Sequence, residues 1–285
     1  MAMRVLVTGA AGRLGSRVVE VLSARGHTPI PADVAEFDIA DYAATRAWIA
    51  AAQPDFVIHP AAWTDVDGCA REPDKAITIN GLGAGNVAAA AADLGVPILY
   101  VSSNEVFDGK AKQPYGEYDR TQPINPYGYS KWVGEQAVVG VNPRHMIART
   151  SWLFAHGGKN FIQTMLGAAA AGKPLKVVVN EIACPTYNDD LAVALVNLMA
   201  TRRWGVYHMV NEGYCSRYDF ARYVLDHAGY AEMPIGRITS HAWARPSTPP
   251  EFTPLANLAG KIVGVTLRPW QAAVDAFLTN EGLFR

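Results

Sequence analysis

Cysteine is scarce in this chain. There are three in 285 residues, Cys69, Cys184 and Cys215, an odd number with no paired spacing. A disulfide framework is therefore not expected, and the thiols read as reduced and mostly buried, as in a cytoplasmic protein. None of the seven histidines stands four residues from another with an acid nearby, so no metal set is expected either. Charge of one sign is also missing. With 25 Lys and Arg against 26 Asp and Glu, the net charge is -1, and no block of like charge occurs. Broad electrostatic capture of nucleic acid or an anionic membrane is excluded, and any anionic ligand must be held by local donors. No stretch approaches the ~20 apolar residues of a spanning helix. The apolar run in "MAMRVLVTGAAG" is too short for a signal-peptide core and turns at once into glycines. Internal repeats and low-complexity linkers are lacking.

Half the residues are hydrophobic and 18% are charged, a composition that buries a full core. The length suits one large or two unequal domains. Strand and helix patterns alternate through the first half. "RVLVT", "TPIPAD", "DFVIH", "PILYVS" and "HMIART" read as strands, the second weakened by Pro29 and Pro31. Between them, Leu14–Ala24, Tyr42–Ala52, Asp74–Leu94 and Pro126–Val139 have helical spacing. This rhythm predicts an α/β, Rossmann-like, doubly wound parallel sheet with helices on both faces. After Trp152 the rhythm loosens. Residues 160–172, 189–200 and 269–279 read as helices, and Ser216 with Asp219 opens another by a capping-box start. "PLKVVV" and "GVYHMVN" read as strands, "NEIACPTYN" as a loop, and "RPSTPPEFTPLAN" as an irregular connection. The expected division is a dinucleotide-binding domain at 1–151 and a smaller substrate-binding region at 152–285, interleaved with the first.

Three motifs carry chemistry. "VTGAAGRLG" sets Gly9, Gly12 and Gly15 between the first strand and first helix. Gly9 permits the tight turn, Gly12 lets backbone approach a diphosphate, and Gly15 packs helix against sheet. The helix N-terminus then offers N–H groups to the diphosphate. Asp33, at the end of the second strand, suits the adenosine ribose of NADH, whereas Arg13 suits the 2'-phosphate of NADPH. The choice between these cofactors stays open. Asp38 suits either the adenine amine or a cap before Tyr42. Leu14, Ile39, Ala61 and Ala62 complete the expected cofactor-binding set. In "PYGYSK", Tyr127 and Lys131 lie at i and i+4 on one helix face, where an ammonium lowers a nearby phenol's pKa and makes it a general acid or base. "VSSNEVFDG" brings hydroxyl, amide and carboxylate groups to the end of the fourth strand.

In this order, with Asn80 in "ITIN", these motifs resemble the extended short-chain dehydrogenases/reductases. The resemblance implies that Ser103 polarises the substrate oxygen, Tyr127 transfers the proton, Lys131 bonds the nicotinamide ribose and tunes the tyrosine, and Asn80 supports a proton relay. Further segments, among them "AAWTDVDGCAREPDKAITIN", "RTSWLF", "CPTYNDDLA" and "GVYHMVNEGYCSRYDFA", are similar to the dTDP-4-dehydrorhamnose reductases. That likeness implies reduction of the 4-keto group of a nucleotide-linked 6-deoxyhexose by NADH or NADPH, in an enzyme that often forms homodimers. It sets Trp152 against the sugar, with Val66 and Asp67 from a loop beside it and Thr186 from the loop facing the cofactor site. Trp152 also reads as a core aromatic at a domain seam, and Asp67 as a solvated loop charge. Asn104 and Glu105 stand where the family commonly has Asp and Tyr, so they are expected to line the sugar pocket in a changed form. A Glu here resembles the base of sugar-nucleotide dehydratases, but Asn104 cannot serve as the acid that elimination requires. Epimerase chemistry on the same fold and a non-catalytic dinucleotide-binding subunit are the remaining alternatives.

Overall fold

The computed structural model describes residues 2–158, 160–242 and 244–285. In chain order the first half comprises β1 (Arg4–Thr8), α1 (Arg13–Ala24), β2 (Thr28–Ala32), α2 (Tyr42–Ala52), β3 (Phe56–His59), α3 (Val66–Arg71), α4 (Pro73–Ala76), α5 (Gly83–Asp93), β4 (Ile98–Ser103), α6 (Pro126–Val141) and β5 (His145–Thr150). The second half comprises β6 (Leu153–Phe154), α7 (Phe161–Ala170), β7 (Leu175–Val178), β8 (Ile182–Ala183), β9 (Thr186–Tyr187), α8 (Asn188–Thr201), β10 (Gly205–His208), β11 (Cys215–Ser216), α9 (Arg217–His227), β12 (Ile235–Ile238), α10 (Leu258–Ile262) and α11 (Trp270–Asn280).

Apolar runs buried on both faces, such as Val5–Val7 and Ile98–Val101, build one six-stranded sheet in the order β2-β1-β3-β4-β5-β10. All its pairings are parallel. Val18 and Leu22 of α1 join Leu191, Leu195 and Met199 of α8 on one face. Ile49 of α2, Val87 and Ala91 of α5 and Val138 of α6 cover the other. Pro29 and Pro31 are tolerated because β2 is an edge strand, bonded to β1 alone. The chain order reverses between β1 and β3, which opens a crevice at their carboxyl ends. A separate core joins Leu166 of α7, Phe220 and Val224 of α9 and Phe277 of α11, and this second body closes over that crevice.

The sheet takes its sixth strand, β10, and a covering helix, α8, from beyond residue 151, so residues 152–285 are interwoven with it. Several expectations need correction. Val66 and Asp67 are not in a loop: Asp65 caps α3 by accepting from the Gly68 amide at 2.9 Å. The long helix expected over 74–94 is interrupted by a π-helical stretch, Ile77–Leu82, which the apolar periodicity does not distinguish from regular helix. "NEIACPTYN" contains the short strands β8 and β9. These are paired by distant segments, β11 and β6, and no local pattern announces them.

Candidate active site

The crevice is a cavity of about 1330 Å³ reaching from the glycine turn and Asp33, past Ser103 and Tyr127, to Trp152 and Arg217. At one end Gly9 has φ +60, and a Cβ there would stand 2.9 Å from the Ala61 Cα. The turn therefore passes too close to the end of β3 for any side chain. A Cβ on Gly15 would stand 2.1 Å from the Gly9 carbonyl oxygen. Gly15 thus packs α1 against its own turn, not against the sheet as expected. Gly12 caps α1 without any side-chain hydrogen bond, so backbone alone forms the helix entrance. The Asp33 carboxylate accepts from the Ala11 and Val34 amides, both at 2.9 Å, and so fixes the turn as well as lining the cavity. Arg13, Leu14, Asp38, Ile39, Ala61 and Ala62 line the same end. The cap of α2 falls to Asp41, which accepts from Ala44 at 3.0 Å. Asp38 accepts from the Ala40 amide at 2.9 Å in its own turn.

At the centre, α6 is drawn tightly onto the end of β4. A Cβ on Gly128 would stand 2.0 Å from the Glu105 carbonyl oxygen, and one on Gly134 would stand 2.4 Å from the Tyr100 hydroxyl. Asn125 caps α6 by accepting from Gly128 at 2.8 Å, and its amide donates to Glu105 Oε2 at 2.7 Å. The buried pair of Arg149 on β5 with Glu135 on α6, bonded at 2.8 and 2.7 Å, clamps the helix further along. Tyr127 is thereby set against Ser103, with Lys131 one turn on and its Nζ 4.3 Å from the Tyr100 ring centre.

The electrostatics reverse one expectation. Burial and the nearby Glu105 carboxyl push the Tyr127 phenol up, while a hydrogen bond with Ser103 pulls it down. Burial draws Lys131, the ammonium expected to lower the phenol, itself down to about 7 against the pull of Glu135. The site thus holds a protonated phenol near neutral pH, a donor in waiting. Burial also raises the Glu105 carboxyl, with Asn125, Arg217 and Arg245 opposing.

A family model, the RmlD substrate binding domain, matches residues 3–282. The chain belongs to this RmlD family. A curated relative, the spore coat polysaccharide biosynthesis protein SpsK of Bacillus subtilis, is 37% identical over 275 residues, 96% of each chain. A dTDP-4-dehydrorhamnose reductase of Mycolicibacterium smegmatis is 34% identical over 96% of this chain and 85% of its own. Among solved structures, a dTDP-4-dehydrorhamnose reductase of Bacillus anthracis in complex with NADP superposes with a TM-score of 0.92 at 32% identity, covering 98% of this chain and 100% of that one.

Within this RmlD-family site, three expected residues point elsewhere. Asn80, on the π-helical stretch, spends its carboxamide on the Trp63 backbone, at 2.7 and 3.0 Å, and on the Ser130 hydroxyl, at 2.9 Å. The Asp67 carboxylate accepts from Arg245 at 2.9 Å and from the Ser247 amide at 3.2 Å, so it tethers the Pro-rich connection and is not a solvated loop charge. Thr186 is wholly buried; its amide donates to the Trp152 carbonyl at 3.2 Å and its hydroxyl to the Cys184 carbonyl at 3.2 Å. It supports Trp152 and does not face the cofactor end. Trp152 itself lines the cavity with φ +42, a backbone conformation rare for an aromatic residue. Val66, Asn104 and Glu105 line the cavity.

Sequence reasoning missed Arg217, whose guanidinium stacks 3.6 Å from the Trp152 ring centre, and Asn188, whose amide donates to the Arg13 carbonyl at 2.9 Å. Both begin helices, α9 and α8, and a polar residue at a helix start reads as a capping signal.

Proposed function

We propose that the chain is an NADH- or NADPH-dependent reductase of the 4-keto group of a nucleotide-linked 4-keto-6-deoxyhexose, converting dTDP-4-dehydrorhamnose to dTDP-L-rhamnose. The observation that carries this reading is the convergence of a protonated Tyr127 and the Ser103 hydroxyl in a cleft that continues into a tight glycine turn. The relatives' names and the NADP-bound neighbour support it.

The residues present fit a dinucleotide. Gly9 and Gly15 leave no room for side chains at the turn, α1 begins without a side-chain cap, and Asp33 and Arg13 flank the turn. These residues would hold the diphosphate and adenosine ribose. When bound, the reduced nicotinamide supplies a hydride to the carbonyl carbon. Ser103 donates a hydrogen bond to the carbonyl oxygen as charge develops on it. Tyr127 delivers its proton to that oxygen, so ketone, hydride and proton sum to the alcohol. Lys131, one turn along α6 from Tyr127, would hold the nicotinamide ribose beside the reacting carbon. Elimination is disfavoured because the Asn104 amide is bonded to the Thr253 hydroxyl at 2.7 Å and offers no acid.

Cytoplasmic residence and a homodimer belong to the same proposal. Three buried free thiols support the first, and Tyr129 and Val139, exposed on α6, support the second. Among the described residues no helix is long and apolar enough to cross a membrane. The reading is tested by cofactor oxidation with dTDP-4-keto-6-deoxy sugars. Turnover with at least one of NADH and NADPH is expected; no turnover with either contradicts it.

A further inference from the structure

Beyond Glu105 the cleft opens into a side pocket of about 60 Å³, where Glu105, Glu181, Arg217 and Arg245 meet a partly apolar wall that includes Val66 and Pro250. Its polar lining carries both signs. Arg217 lies 3.5 Å from Glu181, and Arg245 is tied to Asp67 at 2.9 Å. Glu105 forms no ion pair among the described residues, and its Oε2 accepts from Asn125 at 2.7 Å. A volume this small takes one or two small polar groups.

The lining discriminates among occupants. An ammonium would meet Arg217 and Arg245, and a carboxylate would meet Glu105 and Glu181. A methyl group would strip water from all four without returning a hydrogen bond, a large penalty for buried charge. A hydroxyl both donates to a carboxylate and accepts from a guanidinium, so it alone satisfies both signs. The pocket's place relative to the chemistry is also fixed. Asn104, Glu105, Trp152 and Arg217 line both this pocket and the main cleft that holds Ser103 and Tyr127, so the pocket adjoins the point where the carbonyl oxygen is held.

Resting on the reductase reading, we infer that this pocket receives the hydroxyl on the ring carbon next to the reacting carbonyl, the 3-hydroxyl of a 4-keto sugar. Glu105, facing Arg217 across it, is then a specificity-determining residue. The sugar lies with its hydroxyl-bearing edge toward Glu105 and its methyl-bearing edge turned away.

The test compares kcat/KM for a 4-keto-6-deoxy sugar nucleotide with that for its 3-deoxy counterpart. A site built to bond a hydroxyl should favour the first by at least about a hundredfold. In Glu105→Leu the first value falls toward the second, and the ratio drops below about tenfold. Arg217→Met, which removes the opposing donor, narrows the same ratio. Dinucleotide binding by each variant reports an intact fold. A wild-type ratio near one, or variants that keep the wild-type ratio, overturns the hydroxyl pocket while leaving the reductase reading in place. Absence of turnover of either sugar by the wild type overturns both.

Discussion

At the scale of single residues the site is built on two groups, the half-buried Tyr127 and the buried Lys131, displaced in opposite directions. Tyr127 is pushed up by burial and by Glu105, and Lys131 is drawn down to about 7 by burial. A donor phenol is the form that ketone reduction needs, so removing its proton should be costly. Tyr127→Phe should lower kcat/KM by about 10²–10⁴ while dinucleotide affinity is kept, as steady-state kinetics and a binding titration would show. Glu105→Gln should lose far less turnover than Tyr127→Phe; equal losses would make Glu105 part of the proton-transfer chemistry. Lys131 makes a prediction about stability. Its folded pKa lies below the unfolded value of 10.5, so the unfolded chain binds more protons between about 7 and 10.5. Its burial therefore destabilises the fold most below pH 7, and the penalty fades as pH rises toward 10.5. Lys131→Met should raise the unfolding free energy of the ligand-free protein at pH 6, by an amount on the order of a few kcal/mol, and leave it nearly unchanged near pH 10.5. A variant less stable at pH 6 would contradict the assignment. Tyr127 and Lys131 were legible in the sequence because they stand four residues apart on one helix, whereas Ser103 was singled out only by the family resemblance. Arg217 and Glu181 were not legible, because one opens α9 and the other stands in the loop before β8, and only the folded chain brings them to the cleft.

At the scale of elements, glycines decide how closely the parts approach. Gly15 brings the start of α1 onto the glycine turn, and Gly128 and Gly134 bring α6 onto β4. The spacing of the first motif was readable, but its mechanics were not, since a sequence shows where a glycine stands and not what it touches. Gly15→Ala places a methyl 2.1 Å from the Gly9 carbonyl oxygen, so backbone must shift. A loss of about 1–3 kcal/mol of stability is expected, with dinucleotide affinity reduced alongside. An unchanged melting temperature and affinity would show that the turn yields freely. The helical period over 74–94 was read correctly as helix, yet the π-helical stretch that carries Asn80 leaves no trace in apolar spacing. That stretch turns the Asn80 carboxamide toward the Trp63 backbone, where it holds a cavity-lining loop in place.

At the scale of the molecule, five of the six sheet strands and the parallel doubly wound plan were legible because each strand is a short apolar run flanked by helical spacing. The sixth, β10, was read as a strand, but its place beside β5 was not, and it is this pairing that carries the sheet past residue 151. The second body follows no simple alternation, because β8 and β9 are two residues long and pair with segments far away in the chain. Its contribution is to bring Trp152, Arg217 and Arg245 over the crevice that the sheet opens, so that one end of the cleft suits a dinucleotide and the other a polar sugar. Hydride transfer across that cleft to carbon 4 is the central claim. It is tested most directly by supplying NADH or NADPH deuterated at the transferable position, together with a dTDP-4-keto-6-deoxy sugar, and locating the deuterium in the product by NMR. The account predicts one deuterium, on carbon 4 of a nucleotide-linked sugar alcohol, and none when Tyr127→Phe is used over the same time. Deuterium at any other carbon, or a sugar product carrying none, would contradict it.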